Sequence, residues 1–160
     1  MTIKELINTM PQVGTVEWIG LRPKPKAPVE PVQQVLVTPE NGLEGDHYSK
    51  NGGKRQVTLL QAEHLEVMAN ILKLEEIDPA LMRRNILVLG INLQAFADRQ
   101  FQIGEVVLEM TGGCHPCSRV EQNLVSGAYN AMRGHGGITA KVIQGGTIRV
   151  GDAVQLVKEV

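Results

Sequence analysis

Aromatic side chains make up only 3% of this 160-residue chain, so it has few flat surfaces on which the bases of a single strand could stack. Excess charge is missing too. Sixteen Lys and Arg stand against 17 Asp and Glu, and a net charge of −1 gives no field to draw in nucleic acid or a membrane surface. Any anion site must therefore be built locally. No apolar run approaches the roughly 18 residues of a membrane span. The opening "MTIKELINTM" carries Lys4 and Glu5 inside its apolar pattern and lacks the core of a secretion signal. Cysteine is scarce as well. Two residues do not make the disulfide framework of a secreted protein, and the expectation is a reduced, cytoplasmic one.

Glycine is abundant at 17, with 8 prolines, which suits short strands joined by tight turns. The length fits one domain able to bury a core. Residues 1–13 read as an extension in which Ile3, Leu6, Ile7 and Met10 keep helical spacing; residues 14–160 read as the domain. Strands are expected at "GTVEWIGLRP", stopped by its proline, at "VQQVLVT", "QVTLL", "ILVLG", "VVLEMT", "ITAKVIQG", within "GTIRVGD", and at "AVQLVKEV". "RPKPKAPVEP", Arg22 to Pro31, reads as an extended, solvated loop, and Pro39 to Arg55 as a long polar one. "INLQAFADRQFQIGE" reads as a connector.

Helical spacing marks "QAEHLEVMANILK", and Asp78-Pro79 opens a short helical turn. "SRVEQNLVSGAYNAM" is helix-prone, with Ser118 and Glu121 set as a capping box. About seven strands and two or three short peripheral helices, without βαβα alternation, predict a mainly β fold: a closed or nearly closed barrel.

Both cysteines lie in one stretch, "TGGCHPCSRVEQ". Four chemistries fit such a pair. The thiols are small buried hydrophobes, although a polar Gly/Pro-rich loop is poor core material. They form a redox dithiol, although the β-rich context is not the βαβ unit that makes the motif specific. They are half of a zinc site, although His47, His64 and His135 stand at no zinc spacing. Or one thiolate is a soft nucleophile or ligand beside an anionic group. For that last role Cys117 is the better candidate: it follows the stiffening Pro116 and precedes a helix-prone segment. Cys114 would be a helper thiol.

Other motifs add charge. In "GLEGDHY", Asp46 either orients His47 or holds a basic partner, unless the segment is a plain Asx turn. "GGKRQ" sets Arg55 where a guanidinium can clamp phosphate, or where it merely ends a strand in solvent. Arg83 and Arg84 are adjacent and are expected to face opposite ways. Arg133 and Lys141 bring further positive charge, and convergence with Arg55 and Arg84 would make a strongly cationic pocket. Glu63 on its own reads as an exposed acid at a helix start, favoured there by the dipole.

Five ordered stretches carry a resemblance: "GLEGDHY", "RQVTLLQAEH", "RRNILVLGINL", "FQIGEVVLEMTGGCHPCSRVE" and "RGHGGITAKVIQGGTIRVGD". Together, over about residues 14–157, they resemble the MOSC family, the C-terminal domain of molybdenum-cofactor sulfurases and its stand-alone bacterial relatives. The resemblance implies a barrel similar to the small barrel domain of pyruvate kinase. It implies molybdenum cofactor as the anionic pterin ligand, with Cys117 as persulfide carrier or molybdenum ligand. Cys114 belongs only to the short-member variant "CHPC". Arg84 and Asn85 become the site-facing pair, beside Asp46, His47, Arg55, Arg133 and Lys141. The implied partner is a sulfur donor or, for a reductase of N-hydroxylated compounds, an electron-donor protein. A module that only binds an anionic metabolite, and a thiol–disulfide oxidoreductase, are the rival readings.

Overall fold

Alternating burial builds the wall of the molecule, whose computed structural model describes residues 1–157. The strands are β1 (Gly14–Leu21), β2 (Glu30–Val32), β3 (Gln34–Thr38), β4 (Gly42–Leu43), β5 (Val57–Gln61) and β6 (Ile86–Leu89). They continue with β7 (Gln100–Ile103), β8 (Val106–Gly113), β9 (Ile138–Gln144), β10 (Gly146–Arg149) and β11 (Ala153–Leu156). Hydrogen bonding runs β1-β6-β5-β9-β8-β7-β11, and β11 returns to β1 with Gly14 opposite Val154. The result is a closed seven-stranded barrel, as expected. β2 extends the sheet beside β1, and β10, β3 and β4 form a separate small sheet. Residues 158–160, where the expected last strand ends, lie outside the described residues.

Every pairing within the barrel is antiparallel except β5 with β6, in register Leu59 to Ile86. A parallel pair needs a crossover, and helix α2 (Ala62–Leu72) lies within it. α1 (Ile3–Ile7), α3 (Ser118–Asn123) and α4 (Ala128–Met132) complete the helices, so four are present where two or three were expected, only α2 exceeding seven residues. None among the described residues is long and apolar enough to cross a membrane.

All five residues of β5 are buried because both of its faces are covered. Leu59 points into the barrel with Ile19, Ile86, Phe101, Leu108 and Ile138. Its neighbour Leu60 joins an outer cluster with Leu87, Met68 and Ala69 of α2, Met82, Val120 and Met132. Such side chains each contribute about 1.5–3 kcal/mol by leaving water.

Several elements differ from the sequence expectation. "VQQVLVT" is two strands in two sheets, broken at Gln33. The polar loop holds β4, and the connector holds β7, whose Phe101 stacks on Phe96 at 4.3 Å between ring centres. The segment after the cysteines is two helices, because Gly127 takes a positive φ of 93° between them. The residue capping α3 is Cys117, and Glu121 reaches forward to the backbone N–H groups of Gly127 and Tyr129. No Ser118 capping box forms.

Candidate functional site: a cationic cleft around Cys117

Strand ends supply the site. Arg22 follows β1, Arg55 precedes β5, Arg83 and Arg84 precede β6, and the cysteine loop follows β8. They meet in a cleft of about 550 Å³ with Lys26, His47, His115, Cys117 and Arg119 on its walls. Six cationic side chains and no acidic one line it among the described residues. A volume of this order suits a small organic ligand. A larger cavity of about 880 Å³ lies between residues 8–13 and β11, but Arg99 is its one charged lining residue among those described, and no thiol faces it.

The two thiols differ in access. Cys117 is exposed; Cys114 is 3% exposed, with its Sγ 3.8 Å from an Arg55 Nη and its N–H bonded to Gly137 O. Gly136 packs so closely that a Cβ there would stand 2.0 Å from Cys114 O, so the loop requires glycine at this point.

Arg84 is 5% exposed and braces that loop, donating to Gly136 O at 2.9 Å and His115 O at 3.1 Å. Arg83 lies beside it in the same cleft, contrary to the expectation that the two diverge. Its left-handed backbone, φ 56°, breaks the alternation that an extended chain would impose. Arg83 donates to Ala27 O at 2.6 Å and Arg119 to Lys26 O at 3.0 Å, pinning the Pro/Lys loop along the cleft.

Asp46 takes the second of its two expected roles. Its carboxylate accepts from Arg22 N (2.7 Å), Nε (3.2 Å) and Nη2 (3.0 Å), and from Asn85 Nδ2 (3.1 Å). Desolvation raises the Asp46 pKa, but the Arg22 bonds and charge outweigh it and hold the carboxyl below its ordinary 3.8. His47 Nδ1 lies 2.8 Å from Arg22 O, and because a carbonyl only accepts, that nitrogen carries the proton.

Asn85 does not face the cleft. It is fully buried, donating to Gly20 O and accepting from Thr58 N and Oγ1, so it ties β1, β5 and the Asp46 turn together. Arg133 and Lys141 do not join the cleft either. Arg133 is exposed on the end of α4 beside Asn130, and Lys141 pairs with Glu109 across β8 and β9 at 3.2 Å. Glu63 holds a backbone group, accepting from Gly90 N at 2.9 Å.

What replaces the two absent cations is Arg22, Lys26, Arg83 and Arg119, which sequence reasoning had not assigned to the site. The signal for Lys26 and Arg22 was present in "RPKPK", a run of cations stiffened by proline; nothing local marked Arg119. Of the five arginines in the cleft, only Arg22 has a carboxylate partner within salt-bridge distance among the described residues. Burial, then Arg119 and Arg22, pull the Arg83 guanidinium below its usual value; burial leads for Arg84 too, where Cys114 and Cys117 act in the opposite sense and Arg22 and Arg55 add to the lowering. An anion placed among them would relieve this mutual repulsion.

These features define a barrel whose strand ends hold an accessible thiol among unbalanced guanidiniums. The model of the MOSC domain matches residues 45–155, and the chain belongs to that family. Among solved structures, the YuaD protein from Bacillus subtilis is 15% identical with a TM-score of 0.80, the match covering 95% of this chain and all of that one. YiiM from Escherichia coli is 21% identical at TM-score 0.69, over 91% of this chain and 71% of its own. YiiM from Geobacillus stearothermophilus is 18% identical at 0.71, over 91% and 75%. At these identities the likeness establishes the fold. No curated protein matches the sequence.

Proposed function

We propose that this MOSC-domain protein binds the molybdenum cofactor or a derivative of it in the cationic cleft, with Cys117 as the reactive thiolate. The observation that carries the reading is the group of four arginines, Arg55, Arg83, Arg84 and Arg119, without carboxylate partners among the described residues, around an exposed cysteine. Unpaired guanidiniums gathered this closely favour a multiply charged anion, and their planar N–H forks suit a phosphate ester.

The donor set fits such a group. Among the described residues there is no cluster of three or more His, Cys, Asp or Glu that could hold a bare metal ion, so a metal here would bring most of its ligands with it. One soft thiolate is what a dithiolene-held molybdenum would accept from the protein. When bound, the cofactor would supply a soft metal able to take sulfur or exchange oxygen. Arg55, Arg83 and Arg119 would hold its phosphate, Arg84 would fix the loop that presents Cys117, and Asp46 would fix Arg22.

In the carrier form of the reading, Cys117 thiolate attacks the outer sulfur of a donor persulfide. A new S–S bond forms on Cys117, the donor's S–S bond breaks, and the donor leaves as a thiolate. In the ligand form Cys117 would hold the metal and a separate protein would supply electrons, the two cysteines being too few for an iron–sulfur cluster. The exposed position of Cys117 suits both forms, and a reduced cytoplasm would keep its thiol free.

Elemental and pterin analysis of protein made in cofactor-producing cells, beside its Cys117→Ser variant, tests the reading. Molybdenum near one per chain, lost in the variant, marks the ligand form. Pterin with cyanide-labile sulfur on Cys117 marks the carrier. Neither pterin, metal nor labile sulfur would refute the proposal and leave a plain anion-binding module.

A further inference from the structure

Resting on the carrier form of that reading, we propose that the cleft takes its sulfur from a small dianionic sulfane compound of the thiosulfate type, giving the protein a thiosulfate:thiol sulfurtransferase activity at Cys117. The need for cations is specific to such a donor. A thiolate approaching a dianion is repelled, and the departing sulfite is again a dianion, so both the approach and the departure require positive charge beside the sulfur. Arg83 and Arg119 line the same cleft as Cys117, and neither has a carboxylate partner among the described residues. Each guanidinium has five N–H donors. The protein bonds of Arg83 and Arg119 engage one carbonyl apiece, Ala27 O and Lys26 O, leaving donors for oxyanion oxygens.

The charge environment supports the placement. Cys117 lines the cleft together with Arg83 and Arg84, and a negative sulfur there would oppose the lowering of both guanidinium pKa values. Size points the same way. Thiosulfate has five non-hydrogen atoms, which a cleft of about 550 Å³ admits with ease, and once sulfite has left the same arginines are free for the larger ligand that receives the sulfur.

The step balances without an added oxidant. The Cys117 thiol gives its proton to water, and its sulfur attacks the outer sulfur of thiosulfate. The Cys117 S–S bond forms as the bond from the outer sulfur to the sulfonate sulfur breaks. Sulfite leaves with the bonding pair, and a persulfide anion remains on Cys117.

The test uses the reduced full chain with thiosulfate, reading sulfite release and the mass of the Cys117 peptide, with cationic cysteamine persulfide as a second donor. One sulfite per chain with one sulfur atom added at Cys117, both absent in Cys117→Ser, is the expected result. In the Arg83→Gln/Arg119→Gln variant, the thiosulfate rate divided by the cysteamine persulfide rate falls by about tenfold, or about 1.4 kcal/mol. Sulfur loading from cysteamine persulfide but not from thiosulfate overturns this inference and leaves the carrier reading standing. No loading from either donor overturns both. An unchanged ratio in the double variant overturns the role given to the two arginines.

Discussion

Replacing Asp46 by Asn removes one charge and almost no volume, and the geometry lets the cost be worked out. The carboxylate of Asp46 is fully buried at the side chain, and its partner Arg22 is 12% exposed. Breaking a buried pair by neutralising one member leaves the other charge uncompensated, which costs about 3–5 kcal/mol. The small exposure of Arg22 lets water share the load, so about 3 kcal/mol is expected at neutral pH. For a domain of this size that lowers the melting temperature by roughly 6–12 °C. The pH dependence has a definite sign. Because the folded carboxyl titrates below its ordinary 3.8, its contribution is complete above that value and disappears as pH falls through the lower, folded one. Urea unfolding of wild type and Asp46→Asn should therefore differ fully at neutral pH and converge in strong acid. A difference under about 1 kcal/mol at neutral pH, the value of an exposed pair, would refute the reasoning.

Three further outcomes are expected. Arg84→Met leaves the carbonyls of Gly136 and His115 without their buried donor, a loss of about 2–4 kcal/mol in urea unfolding; it should also expose Cys114 to alkylation in the folded state. In the native wild type, a thiol reagent should label Cys117 at least about tenfold faster than Cys114, the two rates converging in denaturant. Burial, then His135, lower the His64 pKa from 6.5 against the opposing pull of Glu63. The unfolded chain thus takes up the proton first as pH falls, and the urea midpoint should decline below about pH 6.5, less so in His64→Gln.

The barrel was legible because its strands alternate and its turns carry glycine. β7 was not, because "RQFQI" is short and its buried partner Phe96 sits in a 3-10 turn whose spacing is unlike a strand's. The break between α3 and α4 depends on Gly127, whose positive φ is a backbone fact that composition only hints at. At the site, Cys117 was readable from loop chemistry, whereas Arg55 and His47 had plain structural alternatives and Arg84 was marked only by the family resemblance. Arg83 was misjudged because side-chain direction was inferred from an extended backbone that the residue does not adopt. Lys141 was expected in the cleft on charge alone, yet a carboxylate across the strand satisfies it. Asn85 shows the opposite case: a polar residue beside arginines that is buried behind the cleft, where its bonds tie the scaffold together and reach the site only through Asp46 and Arg22.

The seam between β11 and β1 joins Gly14 to Val154, 140 positions later. On a ribosome adding about 5–20 residues per second, the first strand waits roughly 7–30 s for its last neighbour to be made. Throughout that interval the Gly14–Thr15 end of β1, which β2 does not cover, offers bare amides to any extended peptide nearby. Nascent chains of this protein should accordingly be captured by chaperones until the final strand emerges, and refolding from denaturant should be slow for a domain so small.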